Sequence, residues 1–261
     1  MNRATEPDPD SPTIKELLAE ATALLDSESP RLDAEVLLAH ALQQPRSHLL
    51  AWPEKHLSGA QHAAFRQLLQ RRCNGEPVAY LTGEREFWSL SLGVTKDTLI
   101  PRPETETLVA LALERIPADS PQLIADLGTG SGAIALAIAR ERPRCRVIAT
   151  ERAPAALAVA EENARRLGIT TVSFQRGNWC EPLGSLQADL IVSNPPYIAA
   201  ADPHLSRGDV RFEPRGALAA GPTGMDDLTA IAACASCHLK PGGWLLMEHG
   251  FDQGELTRQL L

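Results

Sequence analysis

A glycine-rich turn between an apolar segment and a helical pattern restricts the possible folds of this chain. Residues 122–126 (QLIAD) are predicted as a strand, the turn 127–133 (LGTGSGA) follows, and a helix is predicted over residues 132–142. Glycines let the backbone turn sharply and approach a ligand closely, and a helix N-terminus offers N–H groups to a negatively charged group. This strand–turn–helix unit predicts a nucleoside cofactor bound at the edge of an α/β sheet.

The same alternation of strands and helices continues through the rest of the chain after Pro101. Further strands are predicted at residues 146–150, 171–175, 188–193 and 243–248, and helices at 103–115, 154–167, about 225–239 and from 252. Short apolar strands separated by helices are typical of a parallel sheet covered on both faces. The predicted fold class is therefore α/β, with a doubly wound, mostly parallel, Rossmann-like sheet over residues 101–261.

The chain before this sheet has a helical pattern. Helices are predicted at about 14–25, 32–42 and 59–72, and Thr13 with Glu16 has the spacing of a capping box at the first helix. We expect a small all-α bundle over residues 13–75, preceded by an acidic, proline-rich and disordered leader at 1–12. Residues 76–100, with breaks at Gly83 and Gly93, are predicted as a β-hairpin that links the two domains.

Charge and composition restrict the partners and the compartment. The net charge of −8 argues against a protein whose main task is gripping nucleic acid, which usually needs a basic surface. No apolar run approaches membrane-spanning length, and the N-terminus lacks the pattern of a signal peptide. Five scattered cysteines fit a reducing cytoplasm and not a disulfide framework. We expect a cytoplasmic monomer without a membrane partner.

A pair of cysteines, Cys234 and Cys237, has a spacing that also occurs in redox and metal sites. It lies within a predicted helix and has no second pair nearby, although His238 adjoins it. Zinc requires four ligands at workable spacing. We therefore expect small buried residues on one helix face and neither a metal nor a redox site.

The glycine-rich turn alone leaves two cofactors open. Gly128, Gly130 and Ala133 also satisfy the dinucleotide-binding fingerprint, and Glu151 follows about 20 residues later, where either fold places an acid on ribose hydroxyls. Asp126 directly before the turn favours S-adenosylmethionine. An acid there can meet the ammonium group of that cofactor, whereas it would repel a pyrophosphate.

The tetrapeptide 194–197 (NPPY) directly follows the predicted strand 188–193. Two prolines, Pro195 and Pro196, fix the backbone and hold Asn194 in an extended conformation at the carboxyl edge of the sheet. The Asn194 side-chain oxygen and the Pro195 carbonyl can each accept one N–H of an NH₂ group, and Tyr197 can stack on the planar group. This arrangement predicts methyl transfer to a planar nitrogen, whose lone pair needs alignment more than a general base.

Five segments together resemble the HemK/PrmC family of release factor glutamine N5-methyltransferases. They are residues 83–88 (GEREFW), 100–106 (IPRPETE), 126–132 (DLGTGSG), 194–197 (NPPY) and 208–214 (GDVRFEP). The resemblance spans about residues 75–259, and segment 100–106 separates this family from adenine-N6 methyltransferases that share the NPPY loop. It implies that the glutamine of a Gly-Gly-Gln loop in peptide chain release factors is methylated, and that the helical bundle helps to recognise the release factor.

The resemblance also implies roles for individual residues. The turn would surround the methionine part of S-adenosylmethionine through Gly128, Thr129, Gly130, Ser131 and Gly132. Glu151 would bind the ribose hydroxyls, and Asn178 with Trp179, where relatives have Asp-Trp, would contact the adenine. Asn194, Pro195, Pro196 and Tyr197 would hold the substrate amide, and Asn194 would also contact the cofactor.

Several charged residues outside these motifs also have predicted roles. Arg102 and Glu104 lie at the start of a predicted helix, where capping explains Glu104 but not Arg102. The long irregular segment 202–222 is predicted to form part of a substrate channel, with Glu213 on the substrate and solvated loop charges as the alternative. Glu248 and His249 end the last strand, and we expect a structural role for them.

Two other functions compete with glutamine methylation. N6-methylation of adenine would require a basic face or a target-recognition domain, and the base would have to be extruded. An NAD-binding oxidoreductase or a non-catalytic nucleotide-binding module is supported by the glycine turn alone and is opposed by residues 194–197. Family members continue past the helix at 252–260 with two antiparallel strands, whereas this sequence stops at Leu261. We therefore expect an uncovered last strand, with weak cofactor binding or aggregation.

Overall fold

The computed structural model describes residues 11–261, so the predicted leader at 1–12 lies, apart from its last two residues, outside the described part. The chain divides into two compact units, Met1–Gly83 and Glu84–Leu261. None of the helices within residues 11–261 combines the length and the apolar character that a membrane crossing requires.

The first unit is helical in its described part. Its helices are α1 (Ile14–Leu24), α2 (Pro30–Leu42), α3 (Arg46–Ala51), α4 (Gly59–Cys73) and α5 (Val78–Thr82). Helix α1 starts with the predicted capping box, in which Thr13 and Glu16 bond each other's backbone N–H groups. The sequence did not predict the short helices α3 and α5. Six and five residues hold too little periodicity to reveal them.

The second unit begins with the predicted hairpin, formed by β1 (Glu84–Phe87) and β2 (Leu90–Gly93). The strands are antiparallel, and Phe87 pairs with Leu90 across a two-residue turn. Both turn residues, Trp88 and Ser89, have positive φ angles of 50° and 58°, the backbone geometry that tight hairpins favour. Phe87 is buried in the core of the second unit, so the hairpin packs on the sheet domain.

A five-stranded parallel sheet forms the centre of the second unit. Its strands are β3 (Leu123–Leu127), β4 (Arg146–Glu151), β5 (Val172–Arg176), β6 (Ala188–Ser193) and β7 (Leu239–Met247), in the order β5-β4-β3-β6-β7. All neighbouring pairs are parallel, which confirms the predicted α/β class. The chain runs outward from β3 to β5 and returns to the other side of β3 with β6. The carboxyl ends of β3 and β6 therefore form a topological switch point, where ligands bind in such folds.

Helices accompany this sheet. They are α6 (Glu106–Arg115), α7 (Ala133–Glu141), α8 (Pro154–Leu167), α9 (Asp226–His238) and α10 (Gly254–Leu260). A 3₁₀ turn, Pro103–Thr105, precedes α6 at the position where the sequence predicted the helix to start. Strand β7 begins at Leu239, four residues before its predicted start. Pro241 and Gly242 hid this extension, because both residues are rare inside strands.

The cysteine prediction was wrong in one respect. Cys180, which follows β5, forms a disulfide with Cys234 in α9. The two residues are 54 positions apart in the sequence, and the fold brings their Cα atoms to 6.0 Å, a distance that a disulfide can span. Cys234 is therefore not a small residue that merely packs on a helix face. Cys237 is a free, exposed thiol.

Candidate active site

The glycine-rich turn after β3 is held by backbone hydrogen bonds. The N–H groups of Gly128 and Thr129 both donate to the carbonyl of Thr150 on β4, at 2.9 and 3.0 Å. Gly128 has a φ of +74°, and a Cβ built there would lie 2.9 Å from a ring carbon of Trp179. The turn therefore needs glycine at position 128 for its backbone conformation and for the close approach of the indole ring.

Asp126 lies beneath this turn and is almost completely buried. Its Oδ2 accepts hydrogen bonds from Thr129 Oγ1 at 2.6 Å and from the N–H of Ala135 at 3.1 Å. Within residues 11–261 its Oδ1 is buried without a hydrogen-bond partner. Burial disfavours the charged form and raises the pKa of Asp126 to about 7, despite these two hydrogen bonds.

Glu151 ends β4 and is also buried. Its two carboxylate oxygens accept from the N–H groups of Gly130 at 3.1 Å and Ala153 at 2.9 Å. The carboxylate therefore joins the turn after β3 to the turn after β4. A carboxylate offers about four lone-pair positions, so both oxygens keep acceptor capacity for hydroxyl groups.

Asn178 and Trp179 follow β5 and lie beside the glycine turn. Asn178 is exposed, and its N–H donates to Glu181 at 3.1 Å. Trp179 has a φ of +42°, and its carbonyl accepts from Thr150 Oγ1 at 2.9 Å. Cys180, the next residue, is fixed by the disulfide. The backbone of Trp179 is therefore anchored by the hydrogen bond to its carbonyl and by the disulfide at the next residue, and this fixes the position of the indole.

A single cavity brings most of the predicted residues together. Its wall includes Arg102, Gly128, Thr129, Gly130, Ser131, Glu151, Asn178, Trp179, Asn194 and Pro196. Five other predicted residues do not form part of this wall. They are Asp126, Gly132, Pro195, Tyr197 and Glu213. The cavity lies at the carboxyl ends of β3, β4 and β6, where the strand order predicts a ligand.

Asn194 is the first residue after β6, and its side chain is fixed by a hydrogen-bonded network. Asn194 Nδ2 donates to Thr105 Oγ1 at 3.0 Å, and this hydroxyl donates to Glu248 Oε2 at 2.7 Å. The hydroxyl of Tyr197 donates to the other oxygen, Glu248 Oε1, at 3.1 Å. Burial, together with the negative charge of the nearby Glu248 and the hydrogen bond to it, raises the pKa of Tyr197 to about 12. The Tyr197 hydroxyl therefore keeps its proton at neutral pH.

Arg102 lines the cavity, whereas Glu213, which was also predicted to bind the substrate, does not. The Glu213 side chain is fully buried, and its carboxylate accepts from the guanidinium of Arg102 and from the N–H of Ile100 at 3.0 Å. Around Glu213, the irregular segment reaches the cavity through Pro214, Gly216 and Ala217. Glu213 itself does not line the cavity.

Thr105 and Glu248 were not predicted as site residues. Thr105 lies inside the segment 100–106 that carried the family resemblance. That motif was the sequence signal for this position, although it did not indicate a role for the hydroxyl group. Glu248 was assigned a structural role only. In the described chain, residues 11–261, no group of three or more His, Cys, Asp or Glu side chains is placed to hold a metal ion.

Comparison with known proteins identifies the family. Residues 16–83 match a family model described as PrmC N-terminal domain, and residues 106–208 match one described as methyltransferase small domain. A curated relative from Xylella fastidiosa (strain Temecula1), named release factor glutamine methyltransferase, is 53% identical over 94% of this chain and 88% of its own length. This chain belongs to the release factor glutamine methyltransferase family. A second member, from Salmonella typhimurium (strain LT2), is 54% identical over 90% of this chain and 84% of its own length.

A solved structure was also similar to this member of the release factor glutamine methyltransferase family. It is a methyltransferase from Pyrococcus furiosus, 18% identical, with a TM-score of 0.49 over 75% of this chain and 84% of that chain. The resemblance that the sequence motifs indicated is confirmed by the curated relatives, and so is the expectation of a methyltransferase domain.

Proposed function

We propose that this protein transfers a methyl group from S-adenosylmethionine to the side-chain amide nitrogen, N5, of the glutamine in the Gly-Gly-Gln motif of peptide chain release factors. The observation that carries the proposal is the position of Asn194. It lines the same cavity as the glycine turn, and its Nδ2 is engaged by Thr105, which leaves its oxygen for a donor. The names of the curated relatives support the same acceptor.

The chemistry of the residues around the turn fits S-adenosylmethionine better than a dinucleotide. Glu151 is positioned to accept from ribose hydroxyls, and Asp126 Oδ1, which has no hydrogen-bond partner among residues 11–261, suits an ammonium group. Asp126 in its charged form beneath the glycine turn would repel a pyrophosphate, whereas Glu151 suits the ribose of either cofactor. Asn178 and Trp179 are suited to hold an adenine through a hydrogen bond and ring packing. When bound, the cofactor supplies a methyl group on a positively charged sulfur.

The residues after β6 would hold the substrate. The Asn194 oxygen and the Pro195 carbonyl accept one N–H each, so the amide nitrogen is fixed with its lone pair directed into the cavity. Pro195 and Pro196 are buried and stiffen this loop, and the ring of Tyr197 covers the planar amide. Alignment of this kind can contribute several kcal/mol, roughly 7 or more in well-oriented systems. The reaction then needs no metal and no strong general base.

The proposal also covers recognition of the release factor, the compartment, the oligomeric state and the roles of Arg102 and Glu213. The helical unit, whose residues 16–83 match the PrmC N-terminal domain, is proposed to recognise the release factor. We further propose that the protein acts in the cytoplasm as a monomer. Arg102 is proposed to contact the substrate from the cavity wall, and Glu213 to act through Arg102.

The test is mass spectrometry of the Gly-Gly-Gln peptide after incubation of the release factor with S-adenosylmethionine and the protein. We expect one added methyl group on the glutamine with the wild-type protein, and near-complete loss with Asn194→Ala. An adenine-containing oligonucleotide serves as the competing acceptor in a parallel reaction. Methylation of the oligonucleotide with none on the peptide would replace glutamine with adenine as the substrate.

A further inference from the structure

The hydroxyl group of Thr105 connects two groups of different character. On one side lies the side-chain amide of Asn194, which can present either its oxygen or its NH₂ group. On the other side lies the carboxylate of Glu248, at 2.7 Å from Thr105 Oγ1. Thr105 is 4% exposed, so water does not readily replace either partner.

A hydroxyl group has one proton, and this restricts its partners. An ionised carboxylate only accepts hydrogen bonds, so the Thr105 proton is donated to Glu248. The Thr105 oxygen is then left as an acceptor only, and Asn194 must turn its NH₂ group towards it. The opposite orientation of the amide would leave Glu248 Oε2 without this donor and place two acceptors against each other.

The second oxygen of Glu248 is also engaged. It accepts from the hydroxyl of Tyr197, whose raised pKa of about 12 keeps that hydroxyl a donor. The carboxylate thus receives one proton donor on each oxygen, and neither donor can reverse its role. Glu248 is itself fixed to the end of β6, because its N–H donates to the carbonyl of Ser193 at 3.0 Å.

We propose that Thr105 and Glu248 are positioning residues that set the orientation of the Asn194 side-chain amide, so that Oδ1 faces the substrate NH₂ group. This inference rests on the proposed function, since it assigns the acceptor whose position that reaction needs. A reversed Asn194 amide would place its own NH₂ against the NH₂ of the substrate. Two donors would then face each other, and the amide nitrogen would lose one of its two acceptors.

Two substitutions at Thr105 separate this role from simple packing. Thr105→Val keeps the shape of the side chain and removes the hydroxyl, whereas Thr105→Ser keeps the hydroxyl and removes a methyl group. We expect Thr105→Val to lower kcat for the release factor about 10- to 100-fold, because one acceptor loses its fixed orientation. We expect Thr105→Ser to keep kcat within a few-fold of wild type. A packing role predicts the reverse order.

The matched control is Thr107→Val, an exposed position in α6 that has the same chemical change. For all three variants, the affinity for S-adenosylhomocysteine measured by calorimetry is expected to stay within about two-fold of wild type. The hydrogen bonds that run from Asn194 through Thr105 to Glu248, which we call the relay, lie at the substrate end of the site. A third site variant, Glu248→Leu, removes the acceptor of both hydroxyl groups. Its kcat is expected to fall at least as far as that of Thr105→Val, and wild-type turnover by Glu248→Leu would overturn the proposal.

Neutron diffraction from deuterium-exchanged crystals tests the relay without any substrate. We expect deuterium on Asn194 Nδ2 directed at Thr105, and deuterium on Thr105 Oγ1 directed at Glu248. Deuterium on Thr105 directed at Asn194 would overturn the relay, even if the enzyme methylates release factors. Conversely, failure of the wild-type protein to methylate the peptide would refute the proposed function, while the neutron result would still decide the orientation of the amide.

Discussion

Arg102 and Glu213 form an ion pair whose two members are very unequally exposed. The Glu213 side chain is fully buried, whereas 32% of the Arg102 side chain is exposed. The pair joins positions 111 residues apart and fixes the irregular segment after the NPPY loop to the segment before α6. The arginine therefore has an alternative partner in water, whereas the only other partner of the glutamate among residues 11–261 is the N–H of Ile100.

Because the two side chains are unequally exposed, removing the arginine should lower the free energy of unfolding more than removing the charge of the glutamate. Arg102→Met leaves a buried carboxylate without its cation and is expected to lower the free energy of unfolding by about 3 kcal/mol. Glu213→Gln leaves an arginine that can turn towards solvent, and is expected to cost about 1 kcal/mol. Urea denaturation measures both. The control is Arg258→Met, whose partner Glu255 is exposed, and equal losses at positions 102 and 213 would contradict the prediction.

The buried carboxyl of Asp126 predicts a dependence of stability on pH. Its pKa is raised to about 7 in the folded protein, above the value of about 3.9 expected when unfolded. Between these two values the folded state binds more protons than the unfolded state, so this group lowers stability as pH rises from about 4 to about 7.

Asp126→Asn removes the charge at every pH. The free energy of unfolding of this variant minus that of wild type is therefore expected to be larger at pH 8 than at pH 5, so that the variant is relatively more stable at pH 8. Chemical denaturation at the two pH values measures the difference. Asp119→Asn, at an exposed position, is the control and should show no such change. A difference at position 126 that stays constant with pH would mean that the carboxyl is charged throughout.

Gly128 is predicted to tolerate no side chain, for two separable reasons. Gly128→Ala combines a positive φ with a Cβ placed 2.9 Å from the Trp179 ring, whereas Gly168→Ala, after α8, has a positive φ and open space. Both are expected to lose about 1 kcal/mol of stability from the backbone conformation. Only Gly128→Ala should also weaken S-adenosylhomocysteine binding, about ten-fold or more, in calorimetry. Equal affinities of the two variants would show that the indole is not needed where it lies.

The disulfide between Cys180 and Cys234 is expected to stabilise the second unit. Closing a loop across 54 residues removes entropy from the unfolded chain worth about 4 kcal/mol. Cys234→Ser should therefore unfold at lower urea concentration than wild type under oxidising conditions, and excess reductant should remove the difference. Cys237→Ser, at the exposed free thiol, is the control. If wild type and Cys234→Ser unfold alike without reductant, the bond is not formed in solution.

The parts of the fold that a single contiguous segment encodes could be predicted from the sequence. The strand, glycine turn and helix around Asp126 form one contiguous segment, and so do β6 and the NPPY loop. Each segment carries its own periodicity and its own backbone restrictions. The place where they meet followed from the rule that carboxyl ends of parallel strands share one edge.

Contacts between distant side chains could not be predicted in the same way. Thr105 and Glu248 are 143 residues apart, and neither local segment shows that their side chains meet. The same holds for Cys180 and Cys234, which a count of cysteines cannot pair. Glu213 was predicted to contact the substrate from a loop. Its burial against Arg102 could not be predicted, because it depends on how the irregular segment packs.

The last helix of the described chain is tied to the NPPY loop. Gln253, directly before α10, donates its Nε2 to the carbonyl of Tyr197 at 2.9 Å, and its Oε1 accepts from the N–H of Gly250 at 2.8 Å. Fraying of α10 would withdraw this donor and leave the Tyr197 carbonyl unbonded at that position. Amide hydrogens of α10 and of the NPPY loop are therefore expected to exchange with solvent as one cooperative unit, so that a helix far along the chain contributes to the local stability of the loop.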